Sequence, residues 1–510
     1  MTISRRNFLA GGAAGVIGAI LAGQMPAFAQ NSDTLTIAFN VNLPGFDPTT
    51  GASAVNPTVQ AIYRSVFDQY IGQRPNLEFE PGLLTAWGWN EDKTKVFMDV
   101  RENVTWHDGS SFTPEDVKWS IERAADPATG NPVSFVWASI KNLTVDGNRI
   151  TAEMPVFEPT FFKWMAFLTG FVMPKAYYEK VGAEEFNRKP VGTGPYMVDQ
   201  YEANAFLRLK RNPNYWGVQP AFETVVFKFV TDATSRVAEI ESGSSDLTLD
   251  ISYEDYDRLK DKPGLKGVAT PISDVGMIFI TNIDPMLDKN VRLAAIHAID
   301  KQAIVDRLLR GYGVPLDTLQ TPEYLAYDPT IKVAYDPELS KKLLADSGFS
   351  TDNPVKFKIQ TTRGFKPKDY EMIQAIVGMW RKVGIEAEIE VYEIAKHYEL
   401  RAAHELAPAA FYNWGDAIAD PTTSTGHAMF GPSPNSAWKT EDLDAKIAPL
   451  MTEQDEEKRI AGWRAVDRYI ADEGLVIPLL QYVQPIVYKS SLAVLPNVSG
   501  AMQPTLVAKA

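Results

Sequence analysis

The stretch that most narrows the possible folds lies at residues 356–391. Residues 356–360 (KFKIQ) alternate polar and apolar in the pattern of a half-buried strand, and 385–391 (IEAEIEV) do the same. Between them a loop at 361–368 leads into 369–383, whose apolar residues recur at helical spacing, and Gly384 is placed to end that helix. A strand, a crossover helix and a second strand joined in this way are right-handed and pair in parallel. The chain is therefore expected to be α/β, with a cleft at the carboxyl ends of its parallel strands.

A single core does not accommodate 510 residues, so two or more compact units are expected. Residues 1–29 stand apart from the fold. Arg5 and Arg6, the apolar run 8–21 and Ala27-Phe28-Ala29 resemble a twin-arginine export signal with its cleavage site, giving a mature chain from Gln30. That run is short for a membrane span, and no later segment approaches about 18 consecutive apolar residues. Removing the two arginines moves the net charge from −14 to −16, an acidic balance that argues against nucleic acid as a partner. The chain has no cysteine, which excludes disulfides, thiolate metal sites, a cysteine nucleophile and the lipid-bearing cysteine of a lipoprotein. The expected location is periplasmic, with the protein free rather than lipid-anchored.

Residues 100–123 read VRENVTWHDGSSFTPEDVKWSIER: a strand end, a polar turn at 107–111 and an amphipathic helix. Thr113 suits the cap, Pro114 the first helical position, and Glu115 and Asp116 the positive end of the helix dipole. The stretch resembles the signature of solute-binding protein family 5, the dipeptide- and oligopeptide-binding proteins of ABC importers. Residues 81–87 (PGLLTAW), 190–196 (PVGTGPY), 211–216 (RNPNYW), 288–304 and 335–348 resemble further phrases of that family in family order, so the likeness covers about 34–487. The glycine pair of 190–196 reads as a turn and not a phosphate loop, because Pro195 lacks an N–H and a strand follows.

The resemblance implies an α/β, two-lobed periplasmic binding protein of the venus-flytrap, cluster C type with an extra subdomain. Its divisions are a twin-arginine signal peptide at 1–29, lobe one at 31–75, 190–270 and 480–510, the subdomain at 76–189, and lobe two at 271–479. Crossings near 270 and 480 are expected to form the hinge. The implied partners are a small, peptide-like ligand and the transmembrane subunits of an ABC permease, with the protein monomeric and without a cofactor. Opines, sugars or their phosphodiesters and chelated metals remain open as ligands.

Enzyme readings fail in turn. The chain has no Gly-x-Ser-x-Gly elbow and no Walker loop, and His404-Glu405 lacks the second histidine of a zinc-protease helix. His397 and His404 with Glu393 and Glu399 offer a loose metal constellation, short of a defined ligand set. His107, Asp108 and His297 read as structural, and Trp106, Trp119 and Trp137 as core. Residues 158–168 suggest a second apolar helix, and 475–487 two short strands broken by Pro478 and Pro485.

The ligand residues are sought elsewhere. Tyr412-Asn413-Trp414-Gly415-Asp416 follows a strand and mixes aromatic, polar and acidic groups, which suits a small-ligand pocket. It resembles the family's W-x-x-D-x-x-D/E-P segment, whose first aspartate takes the ligand's α-amino group. Asp416 is the expected anchor, but its spacing to Asp420 is one residue longer than in that pattern, so Asp420 is the alternative, with a plain helix-cap role also open to it. Arg363, on the loop with Lys366 and Lys368, is expected to take a ligand carboxylate bidentately. The loop at 43–48 resembles the family's "DP" loop at the cleft mouth and adds Phe46.

Overall fold

The computed structural model describes residues 33–510 apart from 52, 53, 55 and 57, so the export signal and its cleavage site lie outside the described residues. The expected crossover unit is present. Strands β1 (Thr34–Phe39), β2 (Tyr196–Glu202), β3 (Phe206–Arg211), β4 (Thr224–Phe229), β5 (Leu247–Leu249), β6 (Leu265–Ile280), β7 (Gly313–Pro315), β8 (Val355–Thr361), β9 (Ile385–Val391), β10 (Ala409–Gly415) and β11 (Val476–Lys489) build one mixed sheet. Its order is β9-β8-β10-β6-β11-β5-β1-β4-β3-β2, with β7 attached to β11. β8 pairs in parallel with β9 from Val355↔Ile385 to Thr361↔Val391, and β1 in parallel with β4 and β5.

Three main cores hang on this frame. The first gathers β1, Phe46, the helix Gln60–Val66, residues of β3–β5 and, from the chain's end, Ile486, Tyr488 and Val507. The second takes in Tyr253 and residues from Val275 to Tyr482, among them Ile278, Ile280, Trp380 and Trp463. The third packs the helix Pro114–Ala125 on a four-stranded sheet of residues 84–153 and buries Trp106 and Trp137. Trp119 packs, partly buried, against the first core.

β6 and β11 serve the first two cores at once. They pair antiparallel from Leu265↔Lys489 to Phe279↔Val476, with the register shifting between Pro271 and Val275. The two short strands expected at 475–487 are thus one strand of 14 residues. Its prolines are tolerated for local reasons. Pro478 lies opposite a register shift at Gly276/Met277, and Pro485 lies between the end of the β5 pairing at Ile486 and the start of the β7 pairing at Tyr482. The helix expected over 158–168 shrinks to one turn, Phe161–Trp164. Phe161, Trp164, Met165, Ala166, Phe167 and Leu168 are all buried, so their density reflects burial on every side rather than one helical face.

Two of the sequence motifs lock onto one another. The His107 ring accepts the Gly192 N–H at Nδ1 (3.2 Å) and meets the Gly194 carbonyl at Nε2 (3.0 Å), while the His107 N–H reaches the Gly192 carbonyl at 2.9 Å. Burial pushes the His107 pKa down to about 4, against the pull of the Gly194 bond, which keeps the ring neutral at pH 7. The 190–196 loop also runs against the Val66 carbonyl. A Cβ on Gly192 would meet that oxygen at 2.0 Å, and one on Gly194 would meet the Val66 carbonyl carbon at 2.6 Å. At Asp116, one carboxylate oxygen accepts from both the N–H and the hydroxyl of Thr113 at 2.9 Å, closing the helix start as the sequence suggests.

These contacts give opposite expectations for two glycines. Gly192→Ala forces backbone against backbone and should cost several kcal/mol, on the order of 3 or more, or abolish folding. Gly378→Ala, in the helix Asp369–Arg381 with nothing within 4 Å of the added methyl, should raise stability by about 0.5–1 kcal/mol. Denaturant unfolding of both variants reads the difference.

Candidate functional site

The irregular part of the β6–β11 pair opens onto a polar cluster. Asp274, on β6 inside the register shift, is in ion-pair contact with Lys366 from the loop after β8 and accepts from Asn413 Nδ2 at 2.9 Å. From the first-core side, Asp250 follows β5 and accepts from Asn40 Nδ2 at 2.7 Å and Gln484 Nε2 at 3.2 Å. Burial pushes the Asp250 carboxyl up, while the Gln484 bond and the Lys366 and Arg236 charges hold it down. Asn40 Oδ1, Thr270 Oγ1 and the Tyr482 hydroxyl are buried here without a hydrogen-bond partner. Buried polar groups are normally paired, so these three atoms are departures from the rule beside the polar cluster.

An aromatic wall continues from Lys366 into the second half. The Lys366 ammonium lies 5.5 Å from the Phe365 ring and 5.4 Å from the Tyr482 ring. Phe365 meets Tyr398 edge-on at 6.3 Å, Tyr398 lies 6.0 Å from Tyr412, and Tyr412 stacks on His397 at 4.0 Å. Trp414 hydrogen-bonds through Nε1 to the Thr423 carbonyl at 3.0 Å.

Beyond Trp414 lie two aspartates with opposite electrostatics. The backbone of Asp416 is pinned by its N–H to the Ser273 carbonyl at 2.9 Å and by the Ser273 hydroxyl on its own carbonyl. Its carboxylate is 4% exposed and accepts from Ile418 N at 2.8 Å and from the Thr423 hydroxyl, and no cationic side chain pairs with it among the described residues. Burial pushes its pKa up to about 6 despite those bonds, with the Asp420 charge adding to the rise. Asp420 is equally buried but fully matched. Arg459 donates to both of its oxygens at 2.8 Å, Lys163 from the third core adds a bond at 2.6 Å, and Thr422 N one at 3.0 Å. Burial raises its pKa, but Arg459 and Lys163 outweigh that and hold the carboxyl well below the usual range.

The structure brings Asn413 to Asp274, and Tyr412 and Trp414 into the aromatic wall with Asp416 at its end. Asp420 has no acceptor capacity left for a ligand ammonium, and it also caps the turn that follows. Arg363 is exposed and its guanidinium lies 3.9 Å from the Tyr370 ring, so the loop cation that joins the polar cluster is Lys366, paired with Asp274. Phe46 is fully buried in the first core, edge-on to Tyr201 at 5.1 Å. Asn40, Asp250, Asp274, Tyr398, Tyr482 and Gln484 escaped the sequence reading. Only Asp274 carried a signal, as the one acidic residue of the strand Leu265–Ile280.

A family model, bacterial extracellular solute-binding proteins, family 5 middle, matches residues 78–435. The chain is 25% identical over 504 residues to the dipeptide-binding protein of Escherichia coli (strain K12), covering 92% of this chain and 94% of that protein. It is 25% identical over 470 residues to heme-binding protein A of Haemophilus influenzae, covering 86% and 85%. A dipeptide-binding protein from Pseudoalteromonas in complex with Met-Leu superposes with a TM-score of 0.79 at 21% identity, covering 94% of this chain and all of that one. The fold is that of the two-lobed periplasmic binding proteins.

The two aspartates should separate in unfolding experiments. Asp420→Asn removes the buried counter-charge shared by Arg459 and Lys163 and should cost about 3–5 kcal/mol. Asp416 holds its proton more tightly folded than unfolded, so its contribution makes stability fall as pH rises from about 4 to about 6. Asp416→Asn should therefore match or exceed the parent protein in thermal stability at pH 7.5, with the gain vanishing near pH 4.

Proposed function

Because the chain belongs to family 5 of the bacterial extracellular solute-binding proteins, we propose that it captures a small peptide-like solute between two lobes and delivers it to the transmembrane subunits of an ABC permease. Lobe one comprises residues 31–75, 190–270 and 480–510, the subdomain 76–189, and lobe two 271–479. The hinge lies where β6 and β11 lose register, between Pro271 and Val275. Closure on ligand is a two-state shift in which contacts made only by the closed form supply the differential affinity. The protein works outside the cytoplasmic membrane as a monomer, after export through the twin-arginine signal and cleavage before Gln30, and it returns its ligand chemically unchanged.

The observation that carries the peptide reading is the buried, cation-free carboxylate of Asp416 beside Trp414. A ligand ammonium supplies the missing counter-charge. A charge-assisted bond of that kind contributes about 1.5–3 kcal/mol, out of about 8 kcal/mol for micromolar binding. The fully neutralised Asp420 leaves Asp416 as the anchor, although its spacing departs from the W-x-x-D pattern. The family relative named for heme shows that members differ in cargo, so the ligand itself has to be recovered.

Mass spectrometry of small molecules released by denaturing natively purified protein should yield a compound with a free amino group. Recovery of a ligand without one moves the protein to the opine, sugar or chelated-metal class. With a dipeptide panel in calorimetry, Asp416→Ala should weaken binding at least tenfold, and unchanged affinity would remove Asp416 from the site. Dipeptides incubated with the protein should be recovered intact, whereas their cleavage would make it a hydrolase.

A further inference from the structure

Three buried guanidinium groups of this protein, Arg236, Arg292 and Arg459, are well supplied with acceptors. Arg236 donates to the carbonyls of Leu249, Val230, Thr231 and Asp250 at 2.7–3.2 Å. Arg292 reaches the carbonyls of Glu473, Met286 and Leu287, and Arg459 grips Asp420 with both amino groups. Arg401 is different. It sits in the last turn of the helix Ile394–Ala402, half-buried, with its guanidinium 5.1 Å from the rings of Tyr398 and Tyr412 and 5.6 Å from that of Trp414. Among the described residues its side chain has no hydrogen bond and no ion pair. Burial without a carboxylate pulls its pKa down.

The location of this unmatched cation gives it a use. Trp414 stands two residues before Asp416, and Tyr398 joins Arg401 to the Phe365–Lys366 end of the wall. Three rings surround the guanidinium carbon, and no side-chain hydrogen bond takes up its N–H donors. An aromatic shelf alone would explain the packing, but Arg401 is only half-buried and its N–H groups are not sealed off from solvent, so they stay open to an incoming acceptor. A carboxylate is the planar acceptor that fits them bidentately.

Resting on the peptide reading above, we propose that Arg401 is a specificity residue that selects ligands bearing an acidic side chain in addition to their terminal carboxylate. Lys366 is spent on Asp274, so Arg401 is the cation at this wall with donors to spare, and neutral side chains of the same shape gain nothing from it. The proposal differs from the Asp416 anchor, which recognises the amino group common to all peptides.

The test compares Ala-Glu with the near-isosteric Ala-Gln by calorimetry on the full mature chain. The parent protein should bind Ala-Glu at least tenfold more tightly. Arg401→Met, which keeps the apolar stem on the rings, should erase that preference while leaving Ala-Gln affinity within about twofold. Arg401→Lys keeps the charge without the fork and should retain part of the preference, which serves if the methionine variant folds poorly. Equal affinities in the parent protein, or an equal loss for both dipeptides in Arg401→Met with the thermal midpoint unchanged, would overturn the Arg401 assignment and leave the peptide reading standing. Binding of neither dipeptide by the parent protein would sink both.

Discussion

The backbone ladder between β6 and β11 is the constraint on which the rest depends. Two strands of 16 and 14 residues pass from one core into another without a break in the chain. Their hydrogen bonds hold the halves of the sheet in one register, and side chains on either end belong to different cores. Regular pairing resists bending, whereas an interruption concentrates it. The interruption falls between Pro271 and Val275, and Asp274, Tyr482 and Gln484 are anchored on or beside it. The interruption of the ladder thus coincides with a cluster of polar side chains.

Asp416 and Asp420 show how one short loop produces opposite charge states by allocation of partners. Both carboxylates are buried, so both meet the same desolvation cost. Arg459 and Lys163 both pair with Asp420, and Asp416 receives only a hydroxyl and a backbone N–H. The turn that follows, closed by a bond from Gly426 N to the Pro421 carbonyl at 2.9 Å, distributes its hydroxyls with the same economy. Thr422 accepts from Arg459, Thr423 donates to Asp416 and Thr425 to Asp467. Wide turns of this kind occur often at functional sites. Here the extra residue per turn lets neighbouring hydroxyls face three different charged groups.

What could be read from the chain was whatever depends on local chemistry. The cap at Thr113 and the crossover at 355–391 follow from residues near one another in sequence, and both are present. The 190–196 glycines were recognisable as a turn, but their need for zero side chain comes from Val66, more than a hundred residues away. The same distance problem hid most of the cleft. Nothing local to Asp250 or Asp274 announces that Lys366 lies between them, and Arg363 was the better bidentate group on a loop whose fold delivers Lys366 instead. Apolar density misled at 158–168 because a segment buried on all sides has no face to display a period.

The sheet order also fixes a timetable. β1 is among the first structured residues to be synthesised, yet its neighbour β5 keeps an unpaired edge until β11 arrives, and the first core lacks Ile486, Tyr488 and Val507 until then. The amino-terminal half of a nascent chain therefore waits for the last tenth of its own sequence, carrying an exposed strand edge and an incomplete apolar core meanwhile. A chain truncated before residue 476 loses more than its tail. It loses the strand that completes what was made first.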